Sequence, residues 1–379
     1  MQCFAEVGIQ NASEDLYRAE RRVWRLTRGL FRYKESIMSK NRTDPISSWF
    51  HVAEQLGEYI GIRFGRVPAG AVEPEWMFVR HSDFDGIGGF AELLRRRGAD
   101  LPRLAQLRHP AKASRLRLLR ALAKYLKPRQ KLRWGDIERG PAMSSSPSQP
   151  PRAVAFHLFD DASTTQIRRV CRKNAVSVNS FLLKHLTKAV RPFLQDQAAV
   201  VPWMIPVNLR GKVTRERDTA NFTSYVGVKV CSYESVNDIH LKIYAALGRG
   251  EHWANWYAYK LGGLLTTRMK RWLIVKELAM SQWNLGSFSN LGDWDPERTI
   301  SQADCEGGWL FAPPVLRCQL LGAGCVTFQN RLSLTIQVHP DLTTSAAVPQ
   351  AWIQAWVKEI EIDVASVTAE PLAGHWLTA

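Results

Sequence analysis

The chain has 379 residues and 45% of them are hydrophobic, so it can bury a large core. A single core rarely grows beyond about 250–300 residues, and the length therefore predicts two lobes. No segment approaches the roughly 18–20 consecutive apolar residues of a membrane span, and the start of the chain lacks the basic and then apolar order of a signal peptide. We expect a soluble, cytoplasmic protein.

The six cysteines are scattered along the chain, with no CxxC pair and no histidine at zinc-finger spacing. This distribution argues against a zinc site and against a disulfide framework. The cysteines are therefore predicted to be reduced thiols, most of them buried. No metal site is predicted.

The net charge of +16 is concentrated in one stretch, residues 95–133, which we call the basic segment. It holds fourteen Arg and Lys residues and a single acid, Asp100. Such a field attracts polyanions: coenzyme phosphates, an acidic carrier protein, anionic lipid or nucleic acid. Leucines at helical spacing also predict an amphipathic helix there. A docking surface and a solvated helix face packed on the N-terminal lobe are both compatible with the pattern.

In chain order, residues 11–40 and 49–59 are predicted to be helices, and residues 59–64 a strand. A second strand at 76–79 leads into a helix whose apolar residues run from Ile87 to Leu94. The Ser- and Pro-rich stretch at 144–152 is predicted to be a linker. This divides the chain into an N-terminal lobe (1–143), the linker and a C-terminal lobe (153–379).

The C-terminal part alternates between strands and helices. Apolar runs predict strands at 153–159, 198–207, 225–230, 316–328 and 332–338. Helical spacing predicts helices from 160 to 174, from 177 to 189, from 241 through a Trp-rich region to about 283, and from 349 to 360. The alternation predicts an α/β (α+β) fold with mixed sheets flanked by helices.

The candidate site is the HxxxDG pattern at residues 81–86, where the strand at 76–79 gives way to a helix. His81 is the candidate general base, because a neutral imidazole can take a proton from a hydroxyl or an amine. Asp85 lies just inside the following turn, where a carboxylate is better placed to bind a buried cation, and Arg210 is its predicted partner. Gly86 lacks a side chain, so a cofactor arm could pass close to the backbone.

Other catalytic chemistries lack a motif in this chain. There is no GxSxG nucleophile elbow, no HExxH pair and no carboxylate cluster at metal-ligand spacing. The remaining interpretation is direct transfer, in which a base activates the acceptor and the other substrate already carries a good leaving group.

The pattern resembles the HxxxDG signature of the chloramphenicol-acetyltransferase-like superfamily. That superfamily includes condensation domains, wax ester synthase/diacylglycerol acyltransferases and polyketide-associated acyltransferases. Further segments resemble its members in the same order: residues 175–183, residues 206–210 ending in Arg210, Asn221, and the Ser289-Asn290 pair of a predicted loop. The chain departs from the pattern at Arg80, where many members carry a first histidine, and in having only about 80 residues before the motif.

The resemblance implies two chloramphenicol-acetyltransferase-like lobes with an active-site tunnel between them, in which an acyl thioester and an acceptor meet at His81. It implies no permanently bound cofactor: the acyl group arrives on coenzyme A or on a phosphopantetheinyl carrier protein. Ser289, Asn290 and Asn221 are candidates for binding the oxyanion or lining the tunnel, and terminating a strand is an equally good interpretation of Ser289 and Asn290.

The predicted function is therefore an acyltransferase that moves an acyl group from a thioester to a hydroxyl or an amine, in lipid or secondary-metabolite biosynthesis. Its predicted partners are the thioester donor, a small-molecule or lipid acceptor, and an acidic carrier protein or an anionic membrane surface. Two alternatives remain. One is a catalytically silent binding or scaffold protein with this fold. The other is a membrane or nucleic-acid binder that uses the basic segment, although no aromatic-interleaved nucleic-acid motif accompanies it.

Overall fold

A computed structural model describes residues 45–58, 60–104, 132–140, 153–197, 200–261, 265–279, 285–295 and 307–369. The predicted helix at 11–40, most of the basic segment and the 144–152 linker lie outside these residues. The division into lobes at that linker therefore stays a prediction. None of the described helices is both long enough and apolar enough to cross a membrane.

A small antiparallel sheet carries the motif. Helix α1 (Pro45–Gln55) is followed by strands β1 (Gly61–Val67) and β2 (Glu75–Arg80) and by helix α2 (Gly86–Arg96). The third strand, β7 (Gly308–Ala312), comes from far along the chain and pairs with β1, giving the order β2-β1-β7. Aromatic side chains of α2 and of this sheet form its core, with Phe90 against Phe64 and Trp309.

A six-stranded mixed sheet forms the larger part, in the order β3-β9-β8-β6-β4-β5. Its strands are β3 (Val154–Leu158), β4 (Val201–Asn208), β5 (Thr223–Val230), β6 (Gly286–Trp294), β8 (Leu321–Phe328) and β9 (Arg331–Val338). The β4–β6 and β6–β8 pairs are parallel, and the other pairs are antiparallel.

Six further helices lie in this part of the chain within the described residues. They are α3 (Asp161–Lys173), α4 (Val178–Val190), α5 (Val236–Gly248), α6 (Glu251–Leu261), α7 (Thr267–Ala279) and α8 (Ala347–Ala369). Side chains of α3, α4, α5 and α8 bury one face of the sheet, where Trp203 of β4 donates to Thr187 at 2.9 Å and Trp356 of α8 packs on Phe288 of β6.

Strand β7 connects the two sheets by lying across β8 and β9. Thr335 of β9 donates to the carbonyl oxygen of Phe311 in β7, and Gln337 donates to the carbonyl of Pro313 at 3.2 Å. A Cβ at Gly324 of β8 would lie 2.0 Å from the Phe311 oxygen, so this crossing requires a glycine there. The small sheet is therefore held against the large one by hydrogen bonds from side chains of β9 and by a close approach at Gly324 that leaves no room for a side chain.

The predicted α/β class is confirmed, and most elements agree with the sequence to within a few residues. The helices predicted from Asp160 and Ser177 begin directly after those residues, because both side chains cap the helix N-terminus. The helix predicted at 49–59 lies about four residues earlier, at Pro45–Gln55, and the last helix runs on to Ala369. The strand predicted from 316 begins only at Leu321, because residues 316–319 form a turn closed by Leu316–Gln319 backbone hydrogen bonds.

Two strands were missed, β6 and β7. The sequence of β6, GSFSNLGDW, is rich in Gly, Ser, Asn and Asp, which are poor strand formers. It is a strand because it lies between β4 and β8 in the sheet, where the backbone groups of both neighbours pair with it. The prediction that Ser289 and Asn290 lie in a loop is therefore wrong: both are in β6, before the bulge between Asn290 and Asp293.

Candidate active site

His81 is the first residue after β2, and residues 81–85, the motif loop, connect that strand to α2. The backbone N–H of His81 still donates to the carbonyl of Ile60, 3.1 Å away, as a continuation of the sheet. Ser47 of α1 donates to the carbonyl of Ser82 at 2.7 Å. The motif loop is thus held by the sheet on one side and by α1 on the other.

The His81 ring is oriented by its own loop. Nδ1 lies 2.9 Å from the carbonyl oxygen of Phe84, and since a carbonyl only accepts, the proton of the neutral ring must be on Nδ1. Nδ2 of Asn221 lies farther from Nδ1, at 3.5 Å, and donates at 2.8 Å to the His81 carbonyl instead. Nε2 then carries the lone pair, and no described residue lies within hydrogen-bond distance of it. The ring of Phe50 packs against the imidazole with 4.7 Å between centroids.

The surroundings of His81 favour the neutral ring. Burial lowers the pKa of His81 below its ordinary value of 6.5, and the hydrogen bond to Phe84 and the charge of Asp85 oppose that shift only in part. A depressed pKa means that the proton is lost at a lower pH. The imidazole is therefore a free base at neutral pH, with its basic nitrogen Nε2 unused.

Asp85 is buried and fully occupied by the protein. One carboxylate oxygen accepts from the backbone N–H of Gly88 at 2.7 Å and so caps α2. The other accepts from Nη1 of Arg210 and from the backbone N–H of Phe222, both at 2.7 Å. With all these donors in place, the carboxylate is a structural clamp and is not placed to relay protons.

Arg210 is brought to Asp85, as the sequence predicted. Its side chain is 3% exposed, and the other guanidinium nitrogens donate to the carbonyl groups of Asp218 and Ala220 at 2.9 and 2.8 Å. The guanidinium also lies over the ring of Phe222, 4.6 Å from its centroid. One cation thereby ties the motif loop to the segment before β5.

Asn221 of that segment holds the motif loop directly. Its amide nitrogen donates to the carbonyl of His81 at 2.8 Å, and its oxygen accepts from the backbone N–H of Thr223 at 3.0 Å. Both ends of the amide are therefore used by the protein backbone. The geometry fits a residue that positions His81, whereas an oxyanion would have to displace one of these contacts.

The space beside Gly86 is occupied by protein side chains, whereas the sequence predicted room for a cofactor arm there. A Cβ at this residue would lie 2.6 Å from Leu291 and 3.0 Å from Phe311, so the missing side chain makes room for the strands β6 and β7. The room predicted for a cofactor arm is filled by protein. Gly86 supports the site by letting the start of α2 pack closely on these strands.

Gly88, in the same first turn of the helix, was missed. A Cβ there would lie 2.0 Å from the carbonyl oxygen of Thr219 and 2.7 Å from a nitrogen of Arg210. The available signal was the sequence Gly-Ile-Gly-Gly at the start of a helix, because each glycine inside a helix costs about 1 kcal/mol relative to alanine. Such a cluster indicates close backbone approach.

We expect Gly88→Ala to lower the free energy of unfolding by about 1–3 kcal/mol, because the added methyl group overpacks the contact with Thr219. Gly248→Ala, at the end of α5, is the matched control, since a methyl group added there would meet no described atom within 4 Å. Chemical denaturation of both variants measures the difference. Equal stability of the two variants would show that the Gly88 contact is not tight.

Ser289 and Asn290 do not contact His81. By strand alternation, Ser287, Ser289 and Leu291 share the face of β6 that packs on the start of α2, while Phe288 faces the helices. The Oγ of Ser289 has no described hydrogen-bond partner, and the same is true of the buried Oγ of Ser287. Asn290 instead accepts from the backbone N–H of Gly292 at 2.8 Å and supports the bulge.

The first cations of the basic segment are used within the protein. Arg95 forms a two-pronged ion pair with Asp218, at 2.8 and 3.2 Å. Arg96 pairs with Glu92 at 3.0 Å, and Arg97 lies over the ring of Trp309. These three cations therefore contact other side chains of the protein at and just after the end of α2. This agrees with the interpretation of the basic segment as a solvated face packed on the N-terminal lobe.

Neither protein-family models nor curated proteins match this sequence. Solved structures do. Polyketide synthase associated protein 5 from Mycobacterium tuberculosis is 12% identical, with a TM-score of 0.49 over 77% of this chain and 74% of that one. Trichothecene 15-O-acetyltransferase from Fusarium sporotrichioides is 14% identical, with a TM-score of 0.48 over 80% and 70%. The epimerization domain from the third module of tyrocidine synthetase B is 14% identical, with a TM-score of 0.48 over 78% and 69%. The chain is similar to these proteins in fold, and at such identities the similarity concerns the fold alone.

Proposed function

We propose that the protein is an acyltransferase that moves an acyl group from a thioester to a hydroxyl or an amine, with His81 as the general base. The observation that carries this proposal is the state of the His81 ring. Its Nδ1 proton is held by the Phe84 carbonyl at 2.9 Å, and burial keeps the ring neutral at physiological pH by lowering its pKa. Nε2 is left as an oriented base.

In the proposed step, Nε2 takes the proton of the acceptor as the acceptor oxygen or nitrogen attacks the thioester carbonyl. The tetrahedral intermediate then collapses, the carbon–sulfur bond breaks, and the departing thiolate takes the proton back from the imidazolium. The Phe84 carbonyl stabilises the transient imidazolium through Nδ1. The products are an ester or an amide and a free thiol, so no covalent enzyme intermediate and no redox partner is required.

The remaining site residues have supporting roles in this proposal. Asp85 and Arg210 keep the motif loop in place, and Asn221 fixes the backbone of His81. Ser289 is the candidate donor to the oxyanion, because its Oγ has no described partner and its strand packs against the start of α2. Asn290 remains a weaker candidate, since its oxygen is engaged with Gly292.

The donor in this proposal is a thioester of coenzyme A or of a phosphopantetheinyl carrier protein, bound only during turnover. The excess of positive charge on the chain favours donors of this kind, since both carry phosphate groups. The acceptor is a small molecule or a lipid that bears a hydroxyl or an amine.

The test is a panel of acyl-CoA and acyl-pantetheine donors against alcohols and amines, followed by thiol release and by the mass of the acylated acceptor. Because burial lowers the pKa of His81 below its ordinary value, the rate with an alcohol acceptor is expected to be constant at and above neutral pH and to fall only at acid pH. With an alcohol acceptor, whose hydroxyl does not titrate in this range, a rate that rises tenfold per pH unit above pH 7 would contradict a His81 base.

A silent binding protein is the competing outcome. It would bind a thioester donor without any acceptor-dependent thiol release across the panel. Isothermal titration of the same donors separates the two possibilities, since binding without turnover would overturn the proposed activity.

A further inference from the structure

Helix α7 carries an unusual concentration of exposed apolar side chains. Ten large hydrophobic residues are exposed in the described part of the chain, and four of them lie on this one helix. They are Met269, Trp272, Leu273 and Val275, with 51%, 62%, 36% and 48% of their surface accessible. Isolated exposed apolar residues are ordinary, whereas a cluster marks a contact surface.

The helix has one side turned to the protein, which includes the apolar residues Ile274 and Leu278, and exposed apolar side chains on the opposite side. Lys270, Ile274 and Leu278 follow each other at intervals of four residues and form its inward stripe. Lys270 is buried, and its ammonium group donates to Ser48 of α1 at 2.7 Å and lies over the ring of Trp49. At 100° per residue, the exposed apolar side chains fall on the side away from α1. A helix with apolar residues on both sides is expected to have both sides covered.

The outward side is also basic. Arg268 and Lys276 are exposed among these apolar side chains, and Arg271 is exposed on the flank of the helix, against one exposed acid, Glu277. The ammonium group of Lys276 lies 5.3 Å from the centre of the Trp272 ring. Long cations that reach past an apolar surface, next to a tryptophan, are typical of helices lying at the boundary between lipid headgroups and acyl chains.

We infer that α7 docks this protein on an anionic lipid surface, with Trp272 and Leu273 entering the headgroup boundary and the three cations contacting lipid phosphates. The size of the surface favours lipid over a protein partner. A 13-residue helix offers a strip roughly 20 Å by 10 Å, whereas a stable protein interface buries about 800 Å² on each partner. A bilayer accepts a single convex helix without a matching groove.

This surface is one helix away from the candidate active site. Helix α7 rests on α1, and Phe50 of α1 packs against the His81 ring. An apolar substrate dissolved in the lipid would therefore be close to the site. The docking itself does not depend on the proposed acyl transfer, and His81→Ala is expected to bind lipid as the wild type does.

The first experiment is sedimentation with vesicles of phosphatidylcholine alone and of phosphatidylcholine with about 30% phosphatidylglycerol. The variant Trp272→Ala/Leu273→Ala is expected to bind the anionic vesicles about tenfold more weakly or worse, because both apolar anchors are lost. The matched control is Leu241→Ala/Tyr244→Ala on α5, where both side chains are equally exposed, at 57% and 56%. The control is expected to bind as the wild type does.

A second pair of measurements separates insertion from general charge attraction by the basic segment. Vesicles with brominated acyl chains are expected to quench wild-type tryptophan fluorescence more than that of Trp272→Phe. Arg268→Gln/Arg271→Gln is expected to lose about fivefold in affinity for each cation on anionic vesicles, and nothing on neutral ones.

Two results would overturn the inference. One is equal vesicle binding and equal quenching of the wild type and the α7 variants, with melting temperatures showing that all are folded. The other is a dimeric wild type that becomes monomeric in Trp272→Ala/Leu273→Ala without binding vesicles, which would make the surface a contact between two copies of this chain.

Discussion

Replacing His81 with alanine is expected to slow acceptor-dependent thiol release by about 10²–10⁴-fold, the usual contribution of a positioned general base. The reason is geometric. The Phe84 carbonyl fixes the tautomer of the ring by holding the proton on Nδ1. The lone pair is then on Nε2, where no described residue uses it. Binding of the thioester donor should change little, because the lost group acts on the acceptor proton. Fixed-time assays of thiol release measure the rate, and titration with the donor measures its binding.

The matched control for this substitution is His51→Ala. His51 lies on α1 with its side chain 58% exposed and contacts only neighbouring residues of that helix in the described structure. Its loss is expected to leave thiol release unchanged. Equal thiol release by the wild type and by His81→Ala, across a broad set of donors and acceptors, would rule out His81 as the base.

Breaking the Asp85–Arg210 pair is expected to lower the free energy of unfolding by about 3–5 kcal/mol, because replacing either residue leaves the charge of the other buried without an opposite charge beside it. Asp85→Asn leaves the Arg210 cation unpaired in a site where its side chain is 3% exposed. Arg210→Met leaves the carboxylate with backbone donors only. The double variant should lose much less than the sum of the two single variants, since no unpaired charge remains. Chemical denaturation of the three variants measures the coupling.

The control pair is Arg96 and Glu92 on the surface of α2, which lie 3.0 Å apart but are partly exposed. Breaking that pair is expected to cost less than about 0.5 kcal/mol. Acyl transfer should fall together with stability in Asp85→Asn, because the motif loop that orients His81 loses its clamp. Strictly additive losses in the double variant would show that the two charges do not stabilise each other.

Local features of the sequence predicted much of the fold. Asp160 and Ser177 precede apolar residues at helical spacing, and both do cap helices, because a cap depends on only three or four neighbouring residues. Strand β2 and helix α2 also agree with their patterns. The Asp85–Arg210 contact spans 125 residues, and it was predicted from the complementary charges of two residues at the ends of elements, not from periodicity.

Other features of the site depend on contacts that no local pattern encodes. Strand β7 was missed because five apolar residues do not distinguish a strand from a buried helix segment, and its identity as a strand comes from pairing with β1, far earlier in the chain. The role of Gly86 was misjudged because the atoms that fill its free space belong to β6 and β7. Asn221 was a candidate for binding the oxyanion or lining the tunnel, and no local pattern indicated that its amide holds the His81 backbone.

The sequence by itself determined the α/β class, the junction of β2 and α2 that presents His81, and the pairing of chemical types in a base, a carboxylate and a cation. These follow from side-chain periodicity, from capping and from residue chemistry, all of which act over short stretches of chain. Only the tertiary structure decided that Nδ1 of His81 is turned to Phe84, that Asp85 is fully engaged as a clamp, and that α7 presents apolar side chains to solvent. Those properties depend on which distant atoms fill the space around each group, and burial and hydrogen bonding, not sequence spacing, set them.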